Sequence, residues 1–580
     1  MYLKKHYNKK TDRTYLSIAQ KYRHPVKKVS TDRTVKSLGY LDELKEIYPD
    51  PIAHFRKVAK KMTEEDNARR KVTLNIDMDE KLSKDIVGRK NLGYAAILKI
   101  YHELELNVFF NNRARNKDFK YNTNSIMILL VVSRILSPGS KKKAYMERAR
   151  YFERFSFKLE DIYRALSHFA TLEVELQKYL NDGIVKNYGR NTKVIYYDVT
   201  NFYFEIDRPD ELRKFGKAKD GRHDPIVQMG LAMDCDGIPI HYRLFPGNKL
   251  DKETFRTVIG EVRRKYDTGR IIVVADMGII TGDNIYYLTG GKNYNGYVFS
   301  FSVKGGTDEF KEYVLDDTGY RGKDGKAAGS DAIFKIKSRR IGRDINVSMR
   351  SGKKVKRVVY EKQVVFWSKK YEVKAAAERS ELVKKAIELV KDPAKYDRAT
   401  SYGAARYVKD IRFDKKTGEV LKGGKKPSFD IEKLKEDEKY DGYYAIVTSE
   451  LDMADGDIID TYRGLWEIEE TFKVTKGTIE ARPVYVSRRD RIRAHFLTCF
   501  ISLVVIRLLQ KKTGRKYSPK KIVECLNNIS CSNEQDNLYL FDYRREISDD
   551  IGKALGIDFK NKRLRRAEIK NILAESKKMS

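Results

Sequence analysis

Three acidic side chains in this sequence could do chemistry together: Asp198, Asp276 and Glu469. Asp198 lies inside VIYYDVTNFYF, residues 194–204, a β-branched and aromatic run that predicts a strand. Side chains alternate along a strand, so Val194, Tyr196, Asp198 and Thr200 share one face. A carboxylate in such apolar company is costly unless it is paired or bound to a metal ion. Asp276 directly follows IIVVA, residues 271–275, the short continuous apolar run expected of a buried parallel strand. It therefore sits at the carboxyl end of that strand, where open α/β sheets place their ligands. Glu469 belongs to YRGLWEIEETFKVTKGTIE. At roughly 100° per residue, Tyr462, Trp466, Glu469, Lys473 and Lys476 share one helical face, and Leu465, Ile468, Phe472 and Ile479 form an apolar stripe beside it. Two strand-borne aspartates and a helix-borne glutamate offer hard oxygen ligands to two divalent cations, Mg²⁺ or Mn²⁺. Such ions, about 4 Å apart, can activate an attacking oxygen and stabilise a leaving one in phosphoryl displacement. Lys476 and Tyr462 would then reach phosphate oxygens. Each acid also has an ordinary reading: a turn cap, a partner for a lysine, or part of a solvated helix face.

The surrounding pattern predicts the elements that must position these acids. Strands at 194–204, 226–233 and 238–245 form an antiparallel set, with Asp236-Gly237 as the turn between the last two. A helix at 251–266 with Asp251 as its N-cap, the strand at 271–275, a helix at 283–288 capped by Asp283, and a strand at 297–303 follow. The fold class is α/β, a mixed sheet flanked by helices. Either 297–303 or 443–448 can complete its core. Residues 306–440 read as a β-rich insertion, with strands at 332–338, 345–349 and 355–367 and a helix at 374–390. Helices at 457–480 and 495–509 come next. Upstream, 1–90 is an α+β region with strands at 15–22 and 29–38 and a helix at 43–65, and 91–185 is mainly helical, including a run at 159–180. The expected division is 1–90, 91–185, 186–305, 306–440, 441–510 and 511–580, the last basic and helical.

Lys plus Arg number 118 against 82 Asp plus Glu, a formal charge of +36 over 580 residues. Such a surplus repels itself unless a polyanion compensates it, and nucleic acid is the usual one. Cys235, Cys499, Cys525 and Cys531 lack the spacing of a zinc site, a redox pair or a disulfide framework. The N-terminus has no apolar h-region. The longest apolar helical run, 496–506, ends at Arg507 and is too short to cross a bilayer. These features lead us to expect a cytoplasmic protein associated with the nucleoid.

The acids and their flanks carry a family resemblance over about residues 190–510. The chain resembles insertion-sequence transposases with a DDE triad on an RNase H-like fold. It looks most like the branch whose glutamate lies in a Tyr-Arg-Glu-Lys signature, with two, three and six residues between successive members. Tyr462, Glu469 and Lys476 match in type and spacing, whereas Leu465 occupies the Arg position, with Arg463 the nearest guanidinium. YYDVTNFYFE and VVADMGI resemble the two aspartate segments. Between them, Gln228, Gly237-Ile238-Pro239, Gly247-Asn248 and Asp251 follow the family pattern.

The resemblance implies a five-stranded RNase H-like sheet with Asp198, Asp276 and Glu469 as catalytic metal ligands for two Mg²⁺ or Mn²⁺ ions. It implies DNA as partner, both transposon terminal inverted repeats and target, with synapsis by a homodimer. The reaction implied is hydrolysis that frees 3′-hydroxyls, then their attack on target DNA. Tyr462, Arg463, Lys473, Lys476 and Lys304 are the expected DNA contacts, with Trp367 a candidate to hold a flipped base or a packed strand residue. Arg379 and the run 352–357 are further candidates for phosphate, and His223 and His495 read as structural or DNA-facing. End recognition is expected before about residue 185. A metal-dependent nuclease of this fold without strand transfer, or a non-catalytic DNA-binding relic, are the alternatives.

Overall fold

The computed structural model describes residues 1–580 except 10, 24–29, 69–78, 80, 82–87, 207, 217–223, 291–293, 330, 350, 394–402, 411–426, 535–536 and 579–580. His223 and the first residue of the expected strand 29–38 lie outside the described residues. The chain divides into two compact units, Met1–Ile86 and Val87–Ser580.

The first unit is an antiparallel sheet of β1 (Tyr2–Asn8), β2 (Arg13–Arg23) and β3 (Ser30–Tyr40) with two helices, Leu41–Ile47 and Pro51–Ala68. Leu16, Leu44 and Phe55 form its small core. The single helix expected at 43–65 is interrupted because Pro51 has no N–H to continue the first ladder. Asp50 restarts it, its Oδ1 accepting from the Ile52 and Ala53 amides at 3.0 Å each.

The second unit is built on one mixed sheet. Its strands are β5 (Val194–Tyr203), β6 (Ile226–Asp234), β7 (Pro239–Pro246), β8 (Ile272–Ala275), β9 (Gly296–Phe301), β10 (Phe334–Ser348), β11 (Lys354–Ser368) and β14 (Tyr443–Thr448). They run in the order β10-β11-β14-β9-β8-β5-β6-β7. The β5, β6 and β7 set is antiparallel, β8 and β9 run parallel to β5, and β14, β11 and β10 are antiparallel again.

Both candidate completing strands are therefore present, β9 against β8 and β14 outside it. The sheet reaches eight strands because the long β10–β11 hairpin of the 306–440 segment pairs with β14. The two strands expected at 332–338 and 345–349 are one continuous β10. Its polar middle looked like a loop, but Arg339 donates to Gln363 at 3.0 Å and Arg343 to Glu361 at 2.7 Å across the hairpin. The other two sheets are small: β12 (Val408–Lys409) with β13 (Ser428–Phe429), and β4 (Arg89–Asn91) with β15 (Ser530–Asn533), β16 (Leu538–Phe541) and β17 (Arg563–Arg565). The C-terminal region expected to be helical thus also carries three short strands.

Helices Tyr94–Glu103, Thr123–Leu136 and Leu159–Thr171 pack around Arg489–Lys512. The last is long and apolar enough to cross a bilayer by composition, yet it is buried from Ala494 through Leu509 as the axis of the helical core. The run expected at 159–180 is two helices, Leu159–Thr171 and Glu173–Tyr188, meeting at Leu172. Two expected caps are corrected. Leu250 precedes the helix Asp251–Lys265, so Asp251 sits in its first turn. Thr281, not Asp283, caps Gly282–Thr289, its Oγ1 accepting from the Asn284 amide at 3.1 Å. Asp283 accepts instead from the Ser348 amide at 2.6 Å.

Candidate active site

The parallel pairing of β5 and β8 matches Val194 with Ile272 and Tyr196 with Val274. Two residues further along the same register, Asp198 stands opposite Asp276. On the other side of β8, Ala275 pairs with Phe299, so the next position on β9 is Ser300. The Ser300 hydroxyl donates to Asp276 Oδ1 at 2.7 Å, which confirms that register in the side chains. Strand alternation puts Asp198, Asp276 and Ser300 on the face of Tyr196, Val274 and Val298, against the helical core. The opposite face, with Tyr197, Val273 and Phe299, packs on the helix Asp251–Lys265 through Phe255, Val258 and Ile259.

Asp276 is exposed, half-buried Asp198 is not. Asp276 Oδ1 also accepts the Met277 amide at 2.7 Å, while its Oδ2 has no hydrogen bond among the described residues. Asp198 Oδ1 accepts the Val199 amide at 2.6 Å.

The segment expected as one helix over 457–480 is Asp455–Arg463, a second helix Trp466–Lys473, and a π-helical turn Val474–Thr478. A π turn of this kind often marks functional sites. The break falls at Gly464, whose missing side chain lets the helix junction close onto Tyr196: a Cβ there would collide with the Tyr196 hydroxyl. The same hydroxyl donates to the Thr461 carbonyl at 3.3 Å. Leu465, Ile468, Phe472 and Ile479 are buried, as the apolar stripe required. Trp466, Glu469 and Lys473 are exposed.

Tyr462 links the acids. Its hydroxyl lies 3.5 Å from Asp276 Oδ1. Burial raises its pKa, and the negative charges of Asp276 and Glu469 push it the same way. Glu469 itself has no hydrogen bond or ion pair among the described residues. Lys476 lies 5.8 Å from the Phe202 ring, further along β5 on the Asp198 face. Among the described residues, no three His, Cys, Asp or Glu side chains stand close enough to hold a metal ion already.

The other expected DNA contacts lie elsewhere. Arg463 is exposed, pairs with Asp460 at 3.1 Å, and lines a cleft of about 400 Å³ with Lys323, Lys369, Lys370 and Tyr371. Lys304 pairs with Asp437 at 3.7 Å. Trp367 is half-buried, its indole donating to the Asp441 carbonyl at 3.1 Å. Arg379 is ion-paired to Asp441 and Glu438. Lys354–Arg357 belong to the tip of the β10–β11 hairpin.

Two supports were missed by sequence reasoning. The first is buried Arg507, which reaches Glu467 at 3.6 Å and Glu470 at 3.2 Å, while Arg515 reaches Glu467 at 2.9 Å. The Arg507 pairs fasten the helix of Glu469 to Arg489–Lys512, and the Arg515 pair ties it to the segment just beyond; the signal was the one cation interrupting an apolar run. The second lies under the strap that follows the π turn. His495 contacts the Ala481 carbonyl through Nε2 at 2.9 Å and Lys141 Nζ through Nδ1 at 2.9 Å. The carbonyl requires a proton on Nε2, so Nδ1 accepts from Lys141. Arg134 donates to the Glu480 carbonyl at 2.9 Å.

Burial first, then the Arg134 charge, pulls the Lys141 pKa from 10.5 down to about 7. Between about pH 7 and 10 the unfolded chain binds the extra proton, so this residue makes stability rise with pH. At about 1.4 kcal/mol per unit, the penalty at neutral pH is on the order of 5 kcal/mol, less what the His495 bond returns. Lys141→Met is expected to raise the urea midpoint at pH 7 and to lose this advantage towards pH 10. A Lys141→Met midpoint below wild type at pH 7 would refute this.

Residues 193–505, more than half of the chain, match the family described as the transposase DDE domain. Residues 3–72 match the IS1634 family transposase, N-terminal domain. The chain belongs to the DDE transposases of insertion sequences and is an enzyme acting on DNA. No curated protein sequence matches it. Among solved structures, a piggyBac transposase synaptic complex with hairpin DNA is 9% identical, with 88% of this chain and 80% of that one covered and a TM-score of 0.29. A Mos1 transposase paired-end complex with left transposon end is 11% identical over 41% and 63% of the two chains, with a TM-score of 0.11. Both are loose superpositions.

Proposed function

We propose that the chain cleaves phosphodiester bonds at transposon ends, frees 3′-hydroxyls and joins them to target DNA, using Asp198, Asp276 and Glu469 as metal ligands. The observation that carries this reading is the register that sets Asp198 beside Asp276 on adjacent parallel strands, with Tyr462 hydrogen-bonded to Asp276 and feeling the charge of Glu469. The order β7-β6-β5-β8-β9, with its antiparallel then parallel pairing, supports an RNase H-like core to which β14 and the hairpin are additions. Tyr462, Glu469 and Lys476 then form the Tyr-Arg-Glu-Lys signature. Leu465 is buried at the Arg place, and Arg463, the nearest guanidinium in sequence, pairs with Asp460 instead.

The donor set fits divalent cations: three hard carboxylates, one with an oxygen that has no protein hydrogen bond, and no competing imidazole or thiolate. Two bound Mg²⁺ or Mn²⁺ ions would supply activation of the attacking oxygen and stabilisation of the leaving one. Ser300 and the Met277 amide hold one oxygen of Asp276 and so orient its carboxylate. The raised pKa of Tyr462 keeps its phenol protonated, a hydrogen-bond donor towards Asp276 or a phosphate oxygen. Lys473 and Lys476 supply positive charge along the path of the strand. Lys304 and Trp367 would contact DNA only by giving up their present carboxylate and carbonyl partners. Synapsis of two ends by two copies of the chain, in the nucleoid, completes the proposal.

The test is the full chain with labelled terminal-repeat DNA, target DNA and Mg²⁺. Nicks at the repeat ends and joined products are expected, and both vanish with EDTA and return with added Mg²⁺ or Mn²⁺. Cleavage without joined products would favour the nuclease reading; EDTA-resistant cleavage would reject the ligand assignment.

A further inference from the structure

A second polar cleft, of about 740 Å³, lies where the helix Asp251–Lys265 hands over to β8. Arg263, Arg264, Arg270, Tyr287 and Tyr294 line it, and Asp267 is the one acid among its lining residues. Arg270 pairs with Glu450 at 2.6 Å. Arg263 and Arg264 have no carboxylate partner among the described residues, and Tyr294 is 71% exposed.

Basic residues in the last turn of a helix also complement its dipole. That account does not explain the cleft itself. Gly260, in the interior of this helix, lines it: a Cβ there would stand 2.7 Å from the Tyr287 hydroxyl and 3.1 Å from the Arg264 guanidinium. A helix-interior glycine costs about 1 kcal/mol relative to alanine, and here it lets Tyr287 and Arg264 lie against the helix backbone. Unpaired guanidinium forks match phosphate oxygens in geometry as well as charge. Exposed Tyr294 and half-buried Tyr287 add hydroxyl donors and flat faces beside them.

We infer that this cleft is a second DNA-contact site, which holds the sugar-phosphate backbone of duplex DNA through Arg263 and Arg264. It is at the opposite end of β8 from Asp276, about 20 Å away along the strand. At 3.4 Å per phosphate, that is a contact about six phosphates from the scissile bond if the duplex runs along β8. The inference rests on the chain acting on DNA, not on the carboxylate assignment.

The experiment compares wild type, Arg263→Ala/Arg264→Ala and Arg263→Lys/Arg264→Lys, binding a labelled duplex of arbitrary sequence across a salt series. Each phosphate neutralised contributes about 0.9 to the slope of log K against log salt, so the alanine pair should lower its magnitude by about 1.8. Affinity should fall by up to about 60-fold at 0.1 M salt on the same relation. The lysine pair should keep most of the slope, and end cleavage by the alanine pair at saturating DNA should match wild type. An unchanged slope in the alanine pair overturns the inference, whether or not affinity falls, because a loss without a slope change reports damage to the fold. Failure of the carboxylate reading would appear instead as cleavage that survives Asp198→Ala, with the salt slope unaffected.

Discussion

Asp276→Asn should bind end DNA with near wild-type affinity and cut it at least about 10³-fold more slowly, since even a ligand's supporting partners are worth 10- to 100-fold. The substitution is nearly isosteric. An asparagine oxygen still accepts from Ser300 and from the Met277 amide, so the turn after β8 keeps its hydrogen bonds. What disappears is the negative charge on the oxygen left over for a cation. Asp198→Ala should behave alike: it abolishes Mg²⁺-dependent cleavage and leaves DNA binding largely intact. The pair matters because the two aspartates reach the site by independent routes, one inside β5 and one at the end of β8. Single-turnover cleavage of labelled end DNA, with binding measured in parallel, reads both effects. Wild-type cutting by either variant would remove that aspartate from the active site.

The second large effect concerns stability. Arg507 is buried in the longest apolar helix and its guanidinium serves Glu467, Glu470 and the Glu467 carbonyl, the last at 3.2 Å. Removing one partner of a buried ion pair leaves a charge without compensation and costs about 3–5 kcal/mol. Arg507→Ala should therefore lower the denaturation midpoint severely. Arg515→Ala, on a more exposed pair with the same Glu467, should cost about 1 kcal/mol or less. Burial already raises the Glu467 pKa, with Arg515 and Arg507 opposing the rise. Without Arg507 it rises further above the unfolded value, so the variant loses stability as pH climbs through that folded pKa and recovers part of it in acid. Equilibrium unfolding at neutral and mildly acidic pH measures this. Equal midpoints for Arg507→Ala and Arg515→Ala would show that the buried pair is not what anchors the helix. Glu469 sits between two of the anchored acids, Glu467 and Glu470, so the same loss should slow cleavage through misplacement of that carboxylate.

What could be read from the residues alone was local. Asp198 stood out because a charge in the middle of a β-branched, aromatic run is costly unless it is paired or bound. Asp276 stood out because it ended a short apolar strand. Glu469 was placed by helical phase, and the stripe that phase required, Leu465, Ile468, Phe472 and Ile479, is buried. Periodicity carries that much because it depends only on the geometry of one element.

Relations between elements were a different matter. Nothing within β5 or β8 states that position 198 lies opposite position 276; register belongs to the pair, not to either strand. The polar centre of β10 did not read as strand because its arginines find their partners in other segments, Gln363 and Glu361 across the hairpin and Glu309 and Asp452 beyond it. Gly464 lay inside the one helix expected at 457–480, and only the Tyr196 hydroxyl beneath it explains why a side chain is excluded there. Arg507 looked like the end of an apolar segment until two acids from another helix met it. The sequence by itself determined which residues carry charge and which face each takes within its own element, since backbone geometry dictates both. Tertiary structure alone decided which of those charges are neighbours, because proximity between distant segments arises only when strands pair and helices pack.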